Sequence, residues 1–512
     1  IKTQEDTLTL YDRILHHFTT SMSTIEVASA HASEINREFA KYFADGISHG
    51  CGAYSAYVIS GRSPKMLEPL IRLFDVNGIR WSSVRQKTKD KGFNYFTGKE
   101  ENLEIGEGDI VVSSRQPKAA LVKVLFEPRS VLADSSTYDI TAWSLPYAFG
   151  VQAWAVKDEL SAVAPPALTK KPDFSWQSPY GYLMEYDAFS DAVLMASLLR
   201  EGVKLRYAEK SFVYEGKTYH PGTIIILKKG NEGRLGVIEN LISKSHAVID
   251  PVSSGFMESG IDFGSDKVHL LKKLRVAALT GKMANPNAAG EVWYFFEQQL
   301  GYPITMLNAV DPSSLDLRNY DVLIIPNGDY PFLSDKEGSV SLRNWVRQGG
   351  KLIVMEQAAA RLAAGEWGLK LKKSEEKEKN AEGNSYADLK KYGNRDRDGI
   401  VNNVPGAIYK VELDNTHPLA FGYPDYYFSL KQNSDLYEFS KEGWNVGVIK
   451  KEKQVSGFVG SNVKDKVQDG TVIGTMPLGS GQVIYFADDP LFRSFWENGK
   501  LMFLNAVFLT GN

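Results

Sequence analysis

Lys351-Leu352-Ile353-Val354-Met355-Glu356-Gln357 is an apolar run behind one lysine, closed by two polar residues. A strand covered by helices on both faces reads as a continuous apolar run, whereas a half-exposed strand alternates. Upstream lie three similar runs: Asp321-Val322-Leu323-Ile324-Ile325-Pro326, Pro303-Ile304-Thr305-Met306-Leu307 and Arg275-Val276-Ala277-Ala278-Leu279. Helical patterns separate them. One covers 290–300, and another is expected to open at the capping box Ser334-x-x-Glu337 and to stop at Gly349-Gly350. This alternation predicts α/β architecture and a doubly wound, flavodoxin-like domain over residues 271–512.

Past Ala364 the pattern breaks. Eight of the ten residues 370–379 are charged, with both signs present, so a charged insertion at about 366–404 is expected to form a solvated, mobile loop. Strand signals return at 407–413, 444–449, 471–476 and 482–486, and a terminal helix carries Leu501, Leu504 and Phe508 on one face.

Toward the N-terminus, Tyr11, Ile14, Leu15, Phe18, Met22 and Ile25, then Ile35, Phe39 and Tyr42, recur at spacings of three and four. They predict a helical connector over 1–46 whose apolar stripe needs a surface to pack on. Two stretches between connector and C-terminal domain look like diverged copies, read as small α/β modules at 47–158 and 159–270. Leu73-Phe74-Asp75-Val76-Asn77-Gly78 answers to Leu198-Leu199-Arg200-Glu201-Gly202. The turn Gly98-Lys99 answers to Gly216-Lys217, and Gly108-Asp109-Ile110-Val111-Val112 answers to Gly222-Thr223-Ile224-Ile225-Ile226. Each first glycine suits a left-handed helix cap feeding a strand.

The chain has 512 residues, with 59 Lys plus Arg against 62 Asp plus Glu. A net charge of -3 gives no general attraction to nucleic acid or acidic membranes, so no nucleic-acid partner is expected. Cys51 is the single cysteine, which excludes an internal disulfide framework and a multi-thiolate site. No apolar run approaches the ~18 residues of a membrane span. The chain opens at Ile1 without Met or an apolar leader, which reads as a mature protein or excised fragment.

Candidate chemistry is sparse. His31-x-x-Glu34 has the spacing of two zinc ligands on adjacent helical turns, but no third ligand accompanies it; paired surface side chains are the simpler reading. Gly50-Cys51-Gly52 reads as a turn entering the first module, and Asp396-Arg397-Asp398-Gly399 as a polar turn, since no acidic residue closes it as a calcium loop. No strand-turn-helix nucleophile elbow bearing serine or cysteine is expected, and no glycine-rich phosphate cradle. In an open parallel sheet ligands bind outside the carboxyl ends of the strands. Those ends carry Asn327, Asp329, Glu356, Gln357, Asp488 and Asp489. They either cap helices and hold loops or line a pocket for a polar or cationic ligand.

The C-terminal part resembles the class I glutamine amidotransferase-like fold. Where that family has its catalytic cysteine, after the fourth strand, Met355-Glu356-Gln357 stands here, and the domain contains no cysteine. The resemblance therefore implies a domain without thioester chemistry. Four further segments are similar to the region downstream of the peptidase domain in large exported bacterial zinc carboxypeptidases: residues 138–150, which include Trp143, Pro146 and Tyr147, then 405–409, 414–422 and 488–496. The last segment adds Arg493 to the ligand-binding candidates. This likeness implies an upstream peptidase domain as partner, with zinc bound there and no cofactor in this chain, and a periplasmic or cell-surface location. The resulting expectation is a non-catalytic accessory region for substrate or partner binding and domain positioning. Two alternatives stand beside it: a hydrolase or transferase using carboxylates at the strand ends, with Glu356 or Asp329 as base, and a peptide- or glycan-binding module built on the aromatic residues.

Overall fold

The computed structural model describes residues 2, 7–61, 64–84, 87–106, 108–130, 139–160, 174–308, 315–373 and 391–511. Helices Leu10–Ala30 and Ala32–Ser48 form the N-terminal arm, so helical structure runs two residues past the expected connector. A Thr9–Asp12 capping box starts the first helix. Its apolar stripe finds no cover within the described residues: no residue of Leu10–Ala30 is buried, and Phe18 is 62% exposed. The second helix buries only Gly46, where a Cβ would stand 3.2 Å from Gln116 O and 3.3 Å from Ala119 Cβ.

Each module is a five-stranded sheet whose pairings are all antiparallel. In the first, strand Ala56–Ile59 lies between Ile110–Ser113 and Ala153–Val156. In the second, Gly181–Met184 lies between Ile224–Leu227 and Ile249–Val252. The following helices, Pro64–Asn77 and Phe189–Arg200, are each succeeded by a left-handed glycine, Gly78 (φ 66°) and Gly202 (φ 77°). The other paired glycines also match, at φ 70° and 72° for Gly98 and Gly216, and 97° and 94° for Gly108 and Gly222. L-residues rarely adopt these angles, which is why glycine stands at corresponding places.

The C-terminal domain is built on a ten-stranded mixed sheet. Its parallel half runs Ile304–Asn308, Val276–Thr280, Val322–Ile325, Lys351–Met355, Gly481–Phe486, the arrangement expected from continuous apolar runs. Gly470–Leu478, Trp444–Ile449, Ala407–Leu413 and Tyr426–Lys431 continue the sheet antiparallel, with Gln454–Gly457 also paired to Ala407–Leu413. Several local expectations change. Ser334 is not the N-cap of the following helix: it closes the 3₁₀ turn Pro331–Leu333, its hydroxyl donating to Pro331 O (2.9 Å), and the helix runs Val340–Arg347. The 290–300 segment divides into α-helix Pro286–Tyr294 and a π-helical turn Phe295–Leu300. Helix Glu497–Phe508 buries every residue from Asn498 onward, because sheet and both modules surround it, so one apolar face understates its environment. Of the charged insertion, residues 374–390 lie outside the described residues; Arg395–Ile400 is a short helix where a polar turn was expected, and Trp367 and Leu369 are buried.

The recognisable sequence segments are seams between bodies. Thr141 Oγ1 donates to Gly406 O (2.6 Å), and Phe458 N–H donates to Thr141 Oγ1 (2.8 Å). The Tyr147 and Phe428 rings lie 4.8 Å apart across the same seam, while Trp143 Nε1 donates to Val124 O (2.9 Å) within the first module. Gly150 caps helix Leu145–Phe149 so tightly against Asn498 that a Cβ would stand 2.3 Å from its Oδ1. In the 414–422 segment the Phe421 ring lies 6.4 Å from the Tyr207 ring of the second module. Tyr138 lies outside the described residues.

Candidate functional site: a carboxyl cluster at the strand ends

Strand Lys351–Met355 passes into helix Gln357–Ala363 through one residue, Glu356, at φ 50° and ψ −121°. A left-handed φ costs a side-chain-bearing residue of order 1–3 kcal/mol and persists only where surroundings hold it. Here Glu356 N–H donates to Phe486 O (2.9 Å) while Glu356 O accepts from Ala360 N–H (3.1 Å) as the helix's first bond. Among the described residues six non-glycine residues have positive φ, and three of them, Glu356, Arg493 and Ser494, gather at these strand ends.

Beside Met355 in the parallel register is Phe486, so the adjacent strand delivers Asp488 and Asp489 next to Glu356. Both aspartates are buried. Asp488 accepts from Ser429 Oγ (2.6 Å) and from Lys431 Nζ (2.8 Å), an ion pair closed off from solvent. Asp489 accepts from Leu491 N–H (2.8 Å) and shares a side-chain hydrogen bond with Glu291 from helix Pro286–Tyr294. Glu291 in turn accepts from Ser494 N–H (2.9 Å), which pins the strained Arg493–Ser494 turn to the cluster. Asn327 hydrogen-bonds Glu356.

Burial, then the Asp489 charge and the hydrogen bond with it, pushes the Glu291 carboxyl up to about 10. Glu356 is pushed up to about 8, first by burial and then by Asp489 and Asp488. Burial also raises Asp489. Near neutrality Glu291 is therefore a neutral acid, as is most Glu356, and Lys431 balances Asp488. Such a group of acids can donate and accept hydrogen bonds side by side, and can pass a proton. Glu356 and Asn327 keep part of their surface in solvent.

The side chains of the remaining candidates take no part in the cluster. Asp329 is exposed and pairs with Arg361 (2.8 Å), Gln357 is exposed in the first helical turn, and Arg493 is exposed and donates to Asp139 (2.9 Å). Glu291, Ser429 and Lys431 complete the cluster without having been singled out. The one local signal was a lysine ending the apolar run of strand Tyr426–Lys431, where burial forces a counter-ion.

Elsewhere, His31 Nδ1 and Glu34 Oε2 meet at 3.1 Å on the exposed kink between the arm helices. Gly46-Ile47-Ser48-His49-Gly50 spells G-x-S-x-G, but it ends helix Ala32–Ser48. Ser48 Oγ donates to Ala44 O (2.8 Å) as helical serines do, so no strand-turn-helix elbow forms there. Cys51 is half-buried in its turn. Among the described residues no group of three or more His, Cys, Asp or Glu is arranged to hold a metal ion, and no helix is long and apolar enough to cross a membrane.

No protein-family model matches the chain, and no curated protein matches it by sequence. Solved structures similar to it include a glutamine amidotransferase from Thermotoga maritima, 10% identical, covering 46% of this chain and 96% of that one, with a TM-score of 0.28. A ThuA-like protein from Bacteroides uniformis is 15% identical over 46% of this chain and 89% of its own, with a TM-score of 0.29. A GMP synthase component from Thermoplasma acidophilum is 11% identical over 46% of this chain and 92% of its own, with a TM-score of 0.28.

Proposed function

We propose that this chain is a non-catalytic accessory region of a large exported zinc carboxypeptidase-like protein, positioning domains and binding a partner or substrate. The observation that carries this reading is the turn at Glu356. The same strand-turn-helix geometry presents a reactive serine or cysteine in nucleophilic enzymes. Here it presents a carboxyl that burial holds largely protonated and that is hydrogen-bonded to Asn327. The uncovered stripe of helix Leu10–Ala30 supports the positioning role, since Leu10, Tyr11 and Phe18 are each more than half exposed on one arm and suit packing against another domain. The family resemblance makes that domain the upstream peptidase, and the location periplasmic or cell-surface.

Metal analysis of the purified chain, paired with an assay for release of C-terminal residues from peptides, tests the reading. Neither bound zinc nor release is expected. Stoichiometric zinc with peptide release would overturn it.

A second reading, a hydrolase or transferase using the carboxyl cluster, is favoured by the hydrogen bond shared between Glu291 and Asp489 beside the strained Glu356. It requires a measurable turnover on amide, ester or glycoside substrates that Glu356→Gln abolishes without lowering the Tm; a wild type inactive on all three classes excludes it.

A further inference from the structure

Where the two modules meet the C-terminal domain they enclose a cleft of about 1260 Å³. Lys65 lines it from the first module, Ser190 and His246 from the second, and Gln299 and Tyr423 from the third body. None of Glu291, Glu356, Asp488 or Asp489 lines it, so the cleft is a separate place on the molecule. Pockets for compact small molecules run to about 300–1,000 Å³. A larger volume suits an oligomeric ligand.

Most of the charges in the cleft wall are already matched. Lys65 Nζ lies 2.9 Å from both Asp187 and Asp191, His246 Nε2 lies 3.3 Å from Glu68, Glu185 accepts from Lys217 (2.6 Å), and Lys500 pairs with Glu497. Arg72 and Lys244 line the cleft as well, both exposed to solvent, where water screens their charge.

Three polar atoms of the wall's residues are left without a partner. Ser190 Oγ, His246 Nδ1 and Gln299 Oε1 are shielded from solvent and have no hydrogen-bond partner among the described residues. An unsatisfied buried polar atom costs about 1–3 kcal/mol and is uncommon in folded proteins. Three belong to residues of one cleft wall, contributed by two different bodies, and a side-chain rotation that turned each toward the cleft would let a ligand satisfy it. Gln299 reaches the cleft from the π-helical turn Phe295–Leu300, a distortion that recurs at functional sites. Phe96, Tyr294 and Tyr426 add aromatic surface, with Tyr294 44% exposed.

A hydroxyl oxygen, an imidazole nitrogen and an amide oxygen are all satisfied by ligand hydroxyls, which donate and accept alike. Aromatic faces suit the apolar faces of pyranose rings, and matched wall charges disfavour an ionic ligand left to find its own counter-ion. We propose that this three-body cleft binds a neutral oligosaccharide, with Ser190, His246 and Gln299 hydrogen-bonding its hydroxyl groups.

Calorimetric titration of the whole chain with hexaoses of glucose, mannose, xylose and N-acetylglucosamine, and with an uncharged hexapeptide, provides the test. At least one saccharide is expected to saturate the wild type. Gln299→Leu should weaken that binding about tenfold and Ser190→Ala somewhat less, each with an unchanged thermal unfolding curve, while the surface variant Lys336→Ala binds as wild type. If one cleft variant fails to fold, the other decides. The proposal falls if no saccharide binds at millimolar concentration, if only the peptide binds, or if saccharide binding survives both cleft substitutions. Because the readout is saccharide binding, its failure leaves the zinc and peptide-release result, and the accessory reading, untouched.

Discussion

The two modules place three glycines at corresponding points with nearly the same positive φ, yet end as different sheets. In the first, the hairpin strands Thr88–Asn94 and Lys99–Ile105 are seven residues each, and the hairpin joins the main sheet through Ala153–Val156. In the second, Phe212–Tyr214 and Lys217–Tyr219 have three residues each and form a sheet of their own, while Val268–Leu270 takes up an edge instead. Backbone sterics hold a turn where it is, because only glycine tolerates it. Sheet edges, by contrast, follow which segment tertiary packing brings alongside, since Val268–Leu270, also only three residues long, joins the main sheet where the short hairpin does not. Shared local rules thus coexist with different packing.

The largest expected effect comes where the copies touch. Lys65 of the first module pairs with Asp191 of the second, whose side chain is fully buried and whose carboxyl burial pushes up to about 7 against the pull of Lys65. Lys65→Met should destabilise by about 3–5 kcal/mol at pH 8, because it strands a buried carboxylate. The raised folded-state value sets the sign: below pH 4 Asp191 is protonated folded or unfolded, and the penalty for ionising it grows as pH rises through 7. Urea unfolding at pH 5 should therefore show a distinctly smaller loss than at pH 8; equal losses would mean that the pair does not hold the modules together electrostatically.

Next come the equivalent glycines. Gly108 and Gly222 share a left-handed backbone, but a Cβ on Gly108 meets nothing within 4 Å, whereas one on Gly222 lies 3.1 Å from Phe421 Cβ. Both alanine variants bear about 1–2 kcal/mol of backbone strain, and Gly222→Ala adds overpacking of about 1–3 kcal/mol. Chemical denaturation should rank Gly222→Ala as the more damaging. The reverse order would deny that the second module is docked on the C-terminal domain at this point.

Glu356→Gln is expected to act with the opposite sign. A carboxyl raised from 4.5 to about 8 favours the fold below pH 4.5 and loses that contribution as pH climbs toward 8. The glutamine variant, which cannot ionise, should match wild type at pH 4 and be the more stable of the two at pH 8, the gap widening as pH rises between them. A loss of stability at pH 8 would show that the ionised carboxylate is needed in the folded cluster. Smallest of all, His31→Ala should change stability by less than about 0.5 kcal/mol, since both members of its pair with Glu34 are well exposed. A drop of several degrees in Tm would reveal a structural role that the arm's geometry does not show.

Much of this architecture was legible in local pattern. The run 351–355 is a strand with those same limits, because continuous burial selects apolar residues directly, and 407–413 and 444–449 keep their limits too on strands that mix buried and exposed positions. The Ser334 capping box misled because Ser334 folds back on Pro331, a local hydrogen bond that competes with capping. At the candidate site, Glu356, Asp488, Asp489 and Asn327 were readable as strand ends and do come together. Asp329 and Gln357 share that origin but turn to solvent, since strand position does not set where a side chain points beyond the sheet.

Sequence alone thus determined where strands and helices form, where backbone demands glycine, and that a carboxylate stands at the turn after Met355. It could not determine that Glu291 and Lys431 would join Asp489 and Asp488, partners separated by 198 and 57 positions. Nor could it show that Ser190 and Gln299 would line one cleft with unmet hydrogen bonds. Secondary structure follows from short-range sterics and hydrophobic period, which a few neighbouring residues encode. Meetings between distant groups follow from how whole layers pack, and hydrophobic burial, being non-directional, leaves no local mark of which polar groups it will bring face to face.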